Sequence, residues 1–372
     1  MKKLLLSILI LALVATTALW LRYGGGHPYP DLSSTPGLAA SSLQEVLSYS
    51  EPIGNVAVNR DGRLFFTAHP EARPPGNKLL EYVAGAAIPY PSASLQTELF
   101  DTVLGVAIDR FNRLWTIDHG NHGLRDARII AIDLETSEVV HDRTFDKSIA
   151  PLGSFLQDLQ VSADGRTVVI ADTSIWRKSP AIIVYDLEKD EARRVLESHG
   201  SVSAEPYVIR TGDREMKFLG GIAALRGGVD GIALGPDWLY YGALSGSGLY
   251  RVRLEDLRNE HLSHEELANQ VERFSDKPLS DGLSIDVADN IYITAIEHNA
   301  VFAVGPEREL ETLIKSESVR WPDALSFGPD GYLYLADSAL PDVILQSREH
   351  IKAAGPYRIF RFLPGFDGVP GQ

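Results

Sequence analysis

The sequence of 372 residues contains no cysteine. Disulfides, thiolate metal sites, cysteine nucleophiles and the lipidated cysteine of a lipoprotein are therefore excluded. Positive charge is also scarce, because 35 Lys and Arg face 50 Asp and Glu, for a formal charge of −15. A surface of that sign repels phosphate backbones and anionic lipid, so no nucleic acid is expected as a partner. Hydrophobic residues make up 44% of the chain, which indicates a globular protein stabilised by its packed core.

Common catalytic signatures are missing as well. The chain has no G-x-S-x-G nucleophile elbow, no phosphate-binding loop and no H-E-x-x-H pair. Evidence for function must therefore come from the organisation of the chain.

The first residues differ in character from the rest. Lys2 and Lys3 precede an uncharged apolar run, Leu4–Leu21. A basic start followed by an apolar run is typical of an export signal, and eighteen such residues also just span a bilayer as an uncleaved anchor. The lysines stay in the cytoplasm in both cases, which places the globular part in the periplasm or outside the cell. We interpret residues 1–22 as a signal peptide or inner-membrane anchor and residues 23–40 as a linker. Membrane contact is expected only through this segment, if it is uncleaved.

The remaining chain repeats one pattern six times: a short apolar strand, a turn that often contains Asp-Gly, and a second apolar and aromatic strand. The repeats start 51, 53, 72, 51 and 42 residues apart, at Gly54, Gly105, Asp158, Asp230, Asp281 and Asp323. A four-stranded propeller blade takes roughly 40–50 residues. The spacing predicts an all-β, six-bladed β-propeller over residues 41–366, with a C-terminal tail at 367–372.

The last repeat offers only three strands, and one strand-like segment, Leu43–Tyr49, stands before the first repeat. We expect this N-terminal segment to supply the missing strand and close the ring, since an open ring exposes two strand edges. Two insertions, an added hairpin within 197–228 and a helix-compatible stretch at 255–271, lengthen the fourth repeat and the interval before it.

Several motifs carry a family resemblance. They include Arg113-Leu114-Trp115-x-x-Asp118-x-Gly120, Gly228-Val229-Asp230-Gly231 and Arg320-Trp321-Pro322-Asp323. Over residues 50 to 363 the sequence resembles the Yellow and major royal jelly protein family, in its bacterial, dopachrome tautomerase-related branch. The resemblance implies a secreted six-bladed propeller with a ligand pocket at one end of the channel. Some members look like dopachrome-converting isomerases, some bind biogenic amines, and others are nutritional or structural proteins.

The hairpin geometry of each repeat predicts where functional residues gather. The start of a first strand and the end of a second strand lie at the same face, because a hairpin joins their other ends. A ring of four carboxylates is therefore predicted at one mouth of the channel: Asp158, Asp230, Asp281 and Asp323. The second-strand ends add His69, Asp118, His119, Thr173, Ser245, Glu297, His298 and Asp337. Alternatively, such aspartates accept hydrogen bonds from backbone amides and only fix the turns.

Three functions fit this pattern. The first is a small-molecule-binding protein with isomerase activity, in which Asp281 and either His298 or His119 would take and return a proton. The second is a lactone hydrolase that holds Ca²⁺ or another divalent cation, with Asp230 and Asp281 as ligands. This alternative rests on a resemblance to gluconolactonase-type propellers, from which the chain departs where a glutamate ligand would be. The third is a non-catalytic scaffold for protein partners.

Overall fold

The computed structural model describes residues 1–372 and consists mainly of six four-stranded antiparallel sheets. In chain order the strands of these sheets are β1 (Gln44–Tyr49), β2 (Ile53–Val58), β3 (Leu64–Ala68), β4 (Leu79–Val83), β5 (Ala86–Pro89), β6 (Val103–Ile108), β7 (Arg113–Asp118), β8 (Ala127–Asp133), β9 (Val139–Phe145), β10 (Leu156–Val161), β11 (Thr167–Asp172), β12 (Ala181–Asp186) and β13 (Glu191–Val195). Four short strands follow as two hairpins: β14 (Arg210–Thr211), β15 (Arg214–Glu215), β16 (Lys217–Phe218) and β17 (Ala223–Ala224). The remaining blade strands are β18 (Val229–Leu234), β19 (Trp238–Ala243), β20 (Gly248–Arg253), β21 (Glu272–Asp276), β22 (Leu283–Ile285), β23 (Ile291–Ala295), β24 (Ala300–Val304), β25 (Leu310–Lys315), β26 (Pro322–Phe327), β27 (Leu333–Asp337) and β28 (Tyr357–Phe362).

Helices are few, and only the first is long. They are α1 (Lys2–Tyr23), α2 (Gln96–Leu99), α3 (Gly120–Gly123), α4 (Leu254–Arg258), α5 (His264–Ala268) and α6 (Arg348–Ala354). The short helices α4 and α5 fall in the stretch that the sequence marks as helix-compatible. The hairpins β14–β15 and β16–β17 fall in the other predicted insertion.

The sheets are six blades arranged around one axis. The innermost strands β2, β6, β10, β18, β22 and β26 contact one another in this order, and β26 contacts β2, so the ring is closed. Gly62, Gly165 and Gly331 in the Asp-Gly turns have φ of 81°, 70° and 73°, which explains the glycine in these tight hairpins. The predicted six-bladed propeller is confirmed.

The core is divided between the blades. Six clusters of buried apolar side chains each join two neighbouring sheets. For example, Val169 and Ile182 of the third blade pack with Val229 and Tyr241 of the fourth. Because one sheet cannot cover both of its own faces, each blade depends on its two neighbours for burial.

The N-terminal segment closes the ring as predicted. Strand β1 pairs antiparallel with β28, and the sixth sheet has the order β1-β28-β27-β26. Leu47 of β1 is buried in the cluster between the sixth and first blades, whereas the neighbouring Ser48 is exposed. The first and last parts of the propeller are thus held in one sheet.

Truncating Leu47 to alanine tests the importance of this closing strand. We expect Leu47→Ala to lower the free energy of unfolding by about 2–4 kcal/mol, because it leaves a cavity between two blades. Chemical denaturation followed by tryptophan fluorescence measures the loss. Ser48→Ala on the same strand is the control and should leave stability unchanged. An equal stability of both variants would show that β1 does not contribute to the core.

The linker before β1 packs on the propeller instead of lying outside the fold. His27 pairs with Tyr207 in a short parallel bridge, and their rings stack at 5.0 Å. Further along, Leu38 donates its backbone N–H to Leu313 of β25 at 2.8 Å. The segment therefore runs from one face of the propeller along the outer side of the fifth blade to reach β1.

The two faces of the propeller differ. We call the face where innermost strands begin the ring face, and the opposite one the tail face. At the tail face Gly371 accepts a hydrogen bond from Ile108 N and donates to Phe327 O, both at 2.9 Å. The Ser284 hydroxyl donates to the backbone oxygen of Gln372 at 3.1 Å. Residues 371–372 thus fill that end of the channel, which leaves the ring face as the open side.

Candidate functional site

The local backbone directs the ring aspartates into the channel. Five innermost strands, β2, β6, β10, β18 and β26, have a register shift against their partner near their start. Such bulges re-aim side chains, and they lie beside Asp158, Asp230 and Asp323, whereas β22 after Asp281 has none. The glycines that follow Asp230 and Asp281 have a separate reason: a Cβ on Gly231 would clash with the backbone oxygen of Asp281, and a Cβ on Gly282 with that of Asp323. The Asp-Gly pairs therefore reflect the close approach of neighbouring blades.

All four predicted ring carboxylates line one narrow space at the mouth of the channel. Asp230, Asp281 and Asp323 are buried and Asp158 is partly buried. Burial raises the pKa of Asp281 and of Asp158 to about 7, although hydrogen bonds to each carboxylate act in the opposite direction. Burial and the neighbouring ring carboxylates raise the pKa of Asp230 and Asp323 well above the ordinary value. Ionisation of the ring carboxyls is therefore less favourable than that of exposed aspartates.

The ring members differ in their hydrogen bonds. Asp281 accepts from Gln157 Nε2 at 2.8 Å and from Trp321 Nε1 at 2.6 Å. Asp158 accepts from two backbone amides, Leu159 N at 2.9 Å and Ile232 N at 3.2 Å. By contrast, Asp230 Oδ1 and Asp323 Oδ2 are buried without a hydrogen-bond partner. Unpartnered buried oxygens are costly, so a role beyond turn formation is indicated for these two.

A buried lysine lies beside the ring and was not found from the sequence. Lys277 Nζ donates to Ala243 O at 2.8 Å, Pro278 O at 3.0 Å and Ser280 Oγ at 2.8 Å. Burial lowers its pKa to about 7, while the charges of nearby carboxylates, Asp230 first among them, partly offset that effect. Lys277 therefore offers partial positive charge to the ring near neutral pH.

An apolar cavity of about 800 Å³, including its open mouth, lies above the ring. Twelve of its 19 lining residues are hydrophobic, and Phe155, Trp176 and Phe218 supply aromatic walls. Three residues line both this cavity and the channel beneath it, namely Gln157, Asp230 and Asp281. They form the floor of the cavity. Asp158 and Asp323 line the channel only. The ring is therefore divided into two carboxyls that face the cavity and two that do not.

A histidine and a glutamate are hydrogen-bonded in the cavity wall. His122 Nε2 lies 2.7 Å from Glu71 Oε1, and both residues line the cavity. Burial alone would raise the pKa of Glu71, but the hydrogen bond and charge of His122 outweigh it and lower the pKa to about 2. The ring of His122 stacks on Phe155 at 4.6 Å. The cavity thus has the Glu71 carboxylate in its wall, above two floor carboxyls with raised pKa values.

Four other predicted site residues lie near the cavity, but only one of them lines it. His69 lines the cavity, and its Nε2 lies 3.7 Å from Asp323 Oδ2; burial lowers its pKa to about 4. His119 is buried behind the wall, where its Nδ1 accepts from His122 N at 2.9 Å and its Nε2 has no partner. Thr173 and Ser245 are also buried with unpartnered hydroxyls and do not line the cavity.

Four further predicted residues hold loops. Asp118 accepts from Asp101 N, Thr102 N, Thr102 Oγ1 and Gly120 N, and Asp337 accepts from Arg320 and from Trp321 N. Glu297 accepts from Arg210 N at 2.6 Å. His298 Nε2 lies 3.4 Å from Asp31 of the linker and does not line the cavity. The structure therefore does not bring His298 to Asp281. Asp118 and Asp337 accept hydrogen bonds from backbone amides and fix loops, which is the alternative role predicted from the sequence.

The ring does not fit a divalent cation held by three or more side chains. No group of three or more His, Asp or Glu side chains is arranged to hold a metal ion. In addition, both oxygens of Asp281 face N–H donors, and such donors compete with a cation for the same lone pairs. The assignment of Asp230 and Asp281 to Ca²⁺ stays a prediction, and no chemical step is derived from it.

A second large space lies far from the ring, on the outer side of the third blade. It encloses about 1000 Å³ with its open side, and only two of its ten lining residues are hydrophobic. Its charged side chains pair with one another or with neighbours, as in Arg166–Glu188 at 3.4 Å and Arg258–Asp164 at 2.7 Å. We regard it as a solvated groove, because it lacks the apolar walls typical of small-molecule sites.

The fold and the site together define a six-bladed β-propeller with a ring of buried carboxyls beneath an apolar cavity. A family model described as major royal jelly protein matches residues 101–348, more than half of the chain, and the protein belongs to this family. Major royal jelly protein 3 of Apis mellifera is 29% identical over 167 residues, which cover 41% of this chain and 29% of the bee protein. The chain therefore matches less than a third of the length of that relative.

Solved structures share the fold at low identity. A gluconolactonase from Xanthomonas campestris superposes with a TM-score of 0.55 at 13% identity, covering 92% of this chain and 97% of that chain. A calcium-binding protein, regucalcin from Agrobacterium tumefaciens, gives a TM-score of 0.52 at 14% identity, covering 88% and 96%. At these identities the likeness concerns the propeller fold alone.

Proposed function

We propose that the cavity on the ring face binds a small organic molecule with an apolar or aromatic body and an amine or hydroxyl group directed at the floor. One observation carries the proposal: the floor beneath the apolar walls contains two carboxyls, Asp230 and Asp281, and neither forms a salt bridge with a lysine or arginine. A carboxyl floor attracts a cationic or proton-donating group, and aromatic walls favour a flat body. The carboxylate of Glu71 provides a second acceptor in the wall.

The same floor suits an isomerase that moves one proton between two atoms of the ligand. Asp281, with a pKa of about 7, is poised to accept and return a proton near neutral pH. It would take the proton from one atom as the electron pair shifts along the ligand, and return it at the second atom, so no other reagent is consumed. Asp230, whose pKa is raised by burial and by the neighbouring ring carboxylates, would in its protonated form donate a hydrogen bond to the oxygen that gains negative charge. Tautomerisation of this kind is what the family resemblance suggests.

Thermal melting of the full chain in detergent tests ligand class and metal dependence together. We expect the melting temperature to rise with catechols or biogenic amines and to be the same in EDTA and in calcium. A ligand at 100 times its Kd would add about 2.7 kcal/mol of stability. Asp158→Asn, which changes a carboxyl outside the cavity, should keep the shift, whereas Asp281→Asn should reduce it.

Two other outcomes would favour the alternatives. A rise in calcium that is lost in EDTA, together with a further rise with a lactone, would support a metal-dependent lactone hydrolase. The absence of any shift with these compounds would contradict the small-molecule proposal and leave a scaffold for protein partners. Whichever function holds, we propose that the globular part lies outside the cytoplasm, because α1 is an N-terminal apolar helix that begins with Lys2 and Lys3.

A further inference from the structure

The C-terminal end of α1 is attached to the rim of the cavity. Arg22 donates to Arg177 O at 2.8 Å, Tyr23 OH donates to Trp176 O at 2.9 Å, and Arg226 donates to Gly24 O at 2.7 Å. Tyr23 itself lines the cavity. The rest of the helix has no buried residue and a mean hydropathy of 2.5, sufficient to cross a membrane. An apolar helix thus leaves the protein beside the cavity mouth.

Large apolar side chains are exposed on the same face. Leu219, Leu345 and Trp176 are 71%, 65% and 48% exposed, and Trp176 and Leu345 also line the cavity. The two leucines have φ of 52° and 57°. Leucine is rare in this left-handed region, and at both positions the apolar side chain is exposed. A surface that keeps such residues exposed at a conformational cost indicates an apolar partner.

Positive side chains surround the end of α1, in contrast to the overall charge of −15. They are Arg22, Arg177, Lys178 and Arg226. Arg177 pairs with Glu197 at 2.5 Å. Lys178 donates only to a backbone oxygen, Arg226 O, at 2.8 Å. Burial and the charges of Arg226 and Arg22 lower the pKa of Lys178 to about 8. Cations and a tryptophan at the end of an apolar helix are typical of the lipid headgroup layer.

We propose that the ring face docks on a lipid bilayer that α1 enters, with Trp176, Leu219 and Leu345 in the headgroup region and the cavity mouth at the lipid surface. A bilayer fits better than a protein partner because the apolar residues and the cations lie next to a helix of membrane-spanning length. A molecule that enters the cavity would then pass through the headgroup layer. This last consequence rests on the proposed function, whereas the docking itself does not.

Because the chain has no cysteine, single cysteines can report the orientation of the full protein. Leu219→Cys and Leu345→Cys carry an environment-sensitive fluorophore on the ring face, and Val287→Cys carries it on the tail face, where Val287 is 69% exposed. Each protein is reconstituted in vesicles of phosphatidylcholine and phosphatidylglycerol with or without brominated acyl chains. The ring-face labels should lose about half of their fluorescence in brominated vesicles, since docked residues lie within ~5–10 Å of the acyl boundary. The Val287 label should be unaffected.

Equal quenching at both faces, or none at residues 219 and 345, would overturn the proposal. Asp281→Asn in the labelled proteins separates this proposal from the ligand proposal, because loss of ligand binding should leave the quenching unchanged. Conversely, the same quenching is expected even if no ligand raises the melting temperature.

Discussion

Replacing Asp281 with asparagine is expected to lower kcat for tautomerisation of a catechol- or amine-derived substrate by about 10²–10⁴-fold, the usual contribution of a general acid–base group. Asparagine keeps the shape of the floor but cannot accept a proton and return it. The parent should also lose activity as the pH falls through about 7, because protonation of Asp281 removes the base. Steady-state kinetics of both proteins between pH 5 and pH 9 would measure this effect.

Two variants serve as controls for that experiment. Asp158→Asn changes a ring carboxyl whose pKa is also about 7 but which lines the channel and not the cavity. His298→Gln changes a residue that the sequence offers as a catalytic partner but that contacts Asp31 outside the cavity. Both should retain kcat within a few-fold. A loss in Asp158→Asn as large as that in Asp281→Asn would mean that the ring acts only by supporting the fold.

Replacing Asp230 with asparagine is expected to stabilise the protein by about 1–3 kcal/mol at pH 8, since it removes a buried carboxyl whose ionisation the folded protein disfavours. The gain should depend on pH. An aspartate in the unfolded chain has a pKa of about 3.9. In the folded protein burial and the neighbouring ring carboxylates raise the pKa of Asp230 well above that value. The folded parent thus keeps a proton that the unfolded chain loses, and its stability falls as the pH rises from about 4.

The variant should therefore match the parent below pH 4 and become the more stable protein as the pH increases. Asp158 and Asp281 titrate in the same direction between pH 4 and 7, and buried His69 opposes them, but these groups are common to both proteins. Urea denaturation at several pH values measures the difference. Asp118→Asn is the matched control. Because Asp118 accepts four hydrogen bonds, this variant should be less stable than the parent. A variant at residue 230 that is less stable than the parent at pH 8 would contradict this expectation.

Much of the fold could be predicted from the sequence because its signals are local. The Asp-Gly turns, the apolar strands and the repeat spacing each depend on residues close in the chain. Closure by β1 followed from counting strands, since the sixth repeat lacks one. The ring of Asp158, Asp230, Asp281 and Asp323 followed as well, because equivalent positions of a repeat lie at equivalent places around the axis.

The tertiary structure decided which ring carboxyls face the cavity and which face only the channel. Only Asp230 and Asp281 reach the cavity, because the loops and the insertion that build its walls lie over one side of the channel. Glu71 and His122 come from different blades, and Gln157 meets Asp281 from 124 residues away. No periodicity marks such pairs, and nothing in the sequence around Lys277 distinguishes it from an exposed lysine. Local patterns therefore determined the propeller and its carboxyl ring, whereas the approach of separate blades decided which side chains share the cavity and which protons they hold.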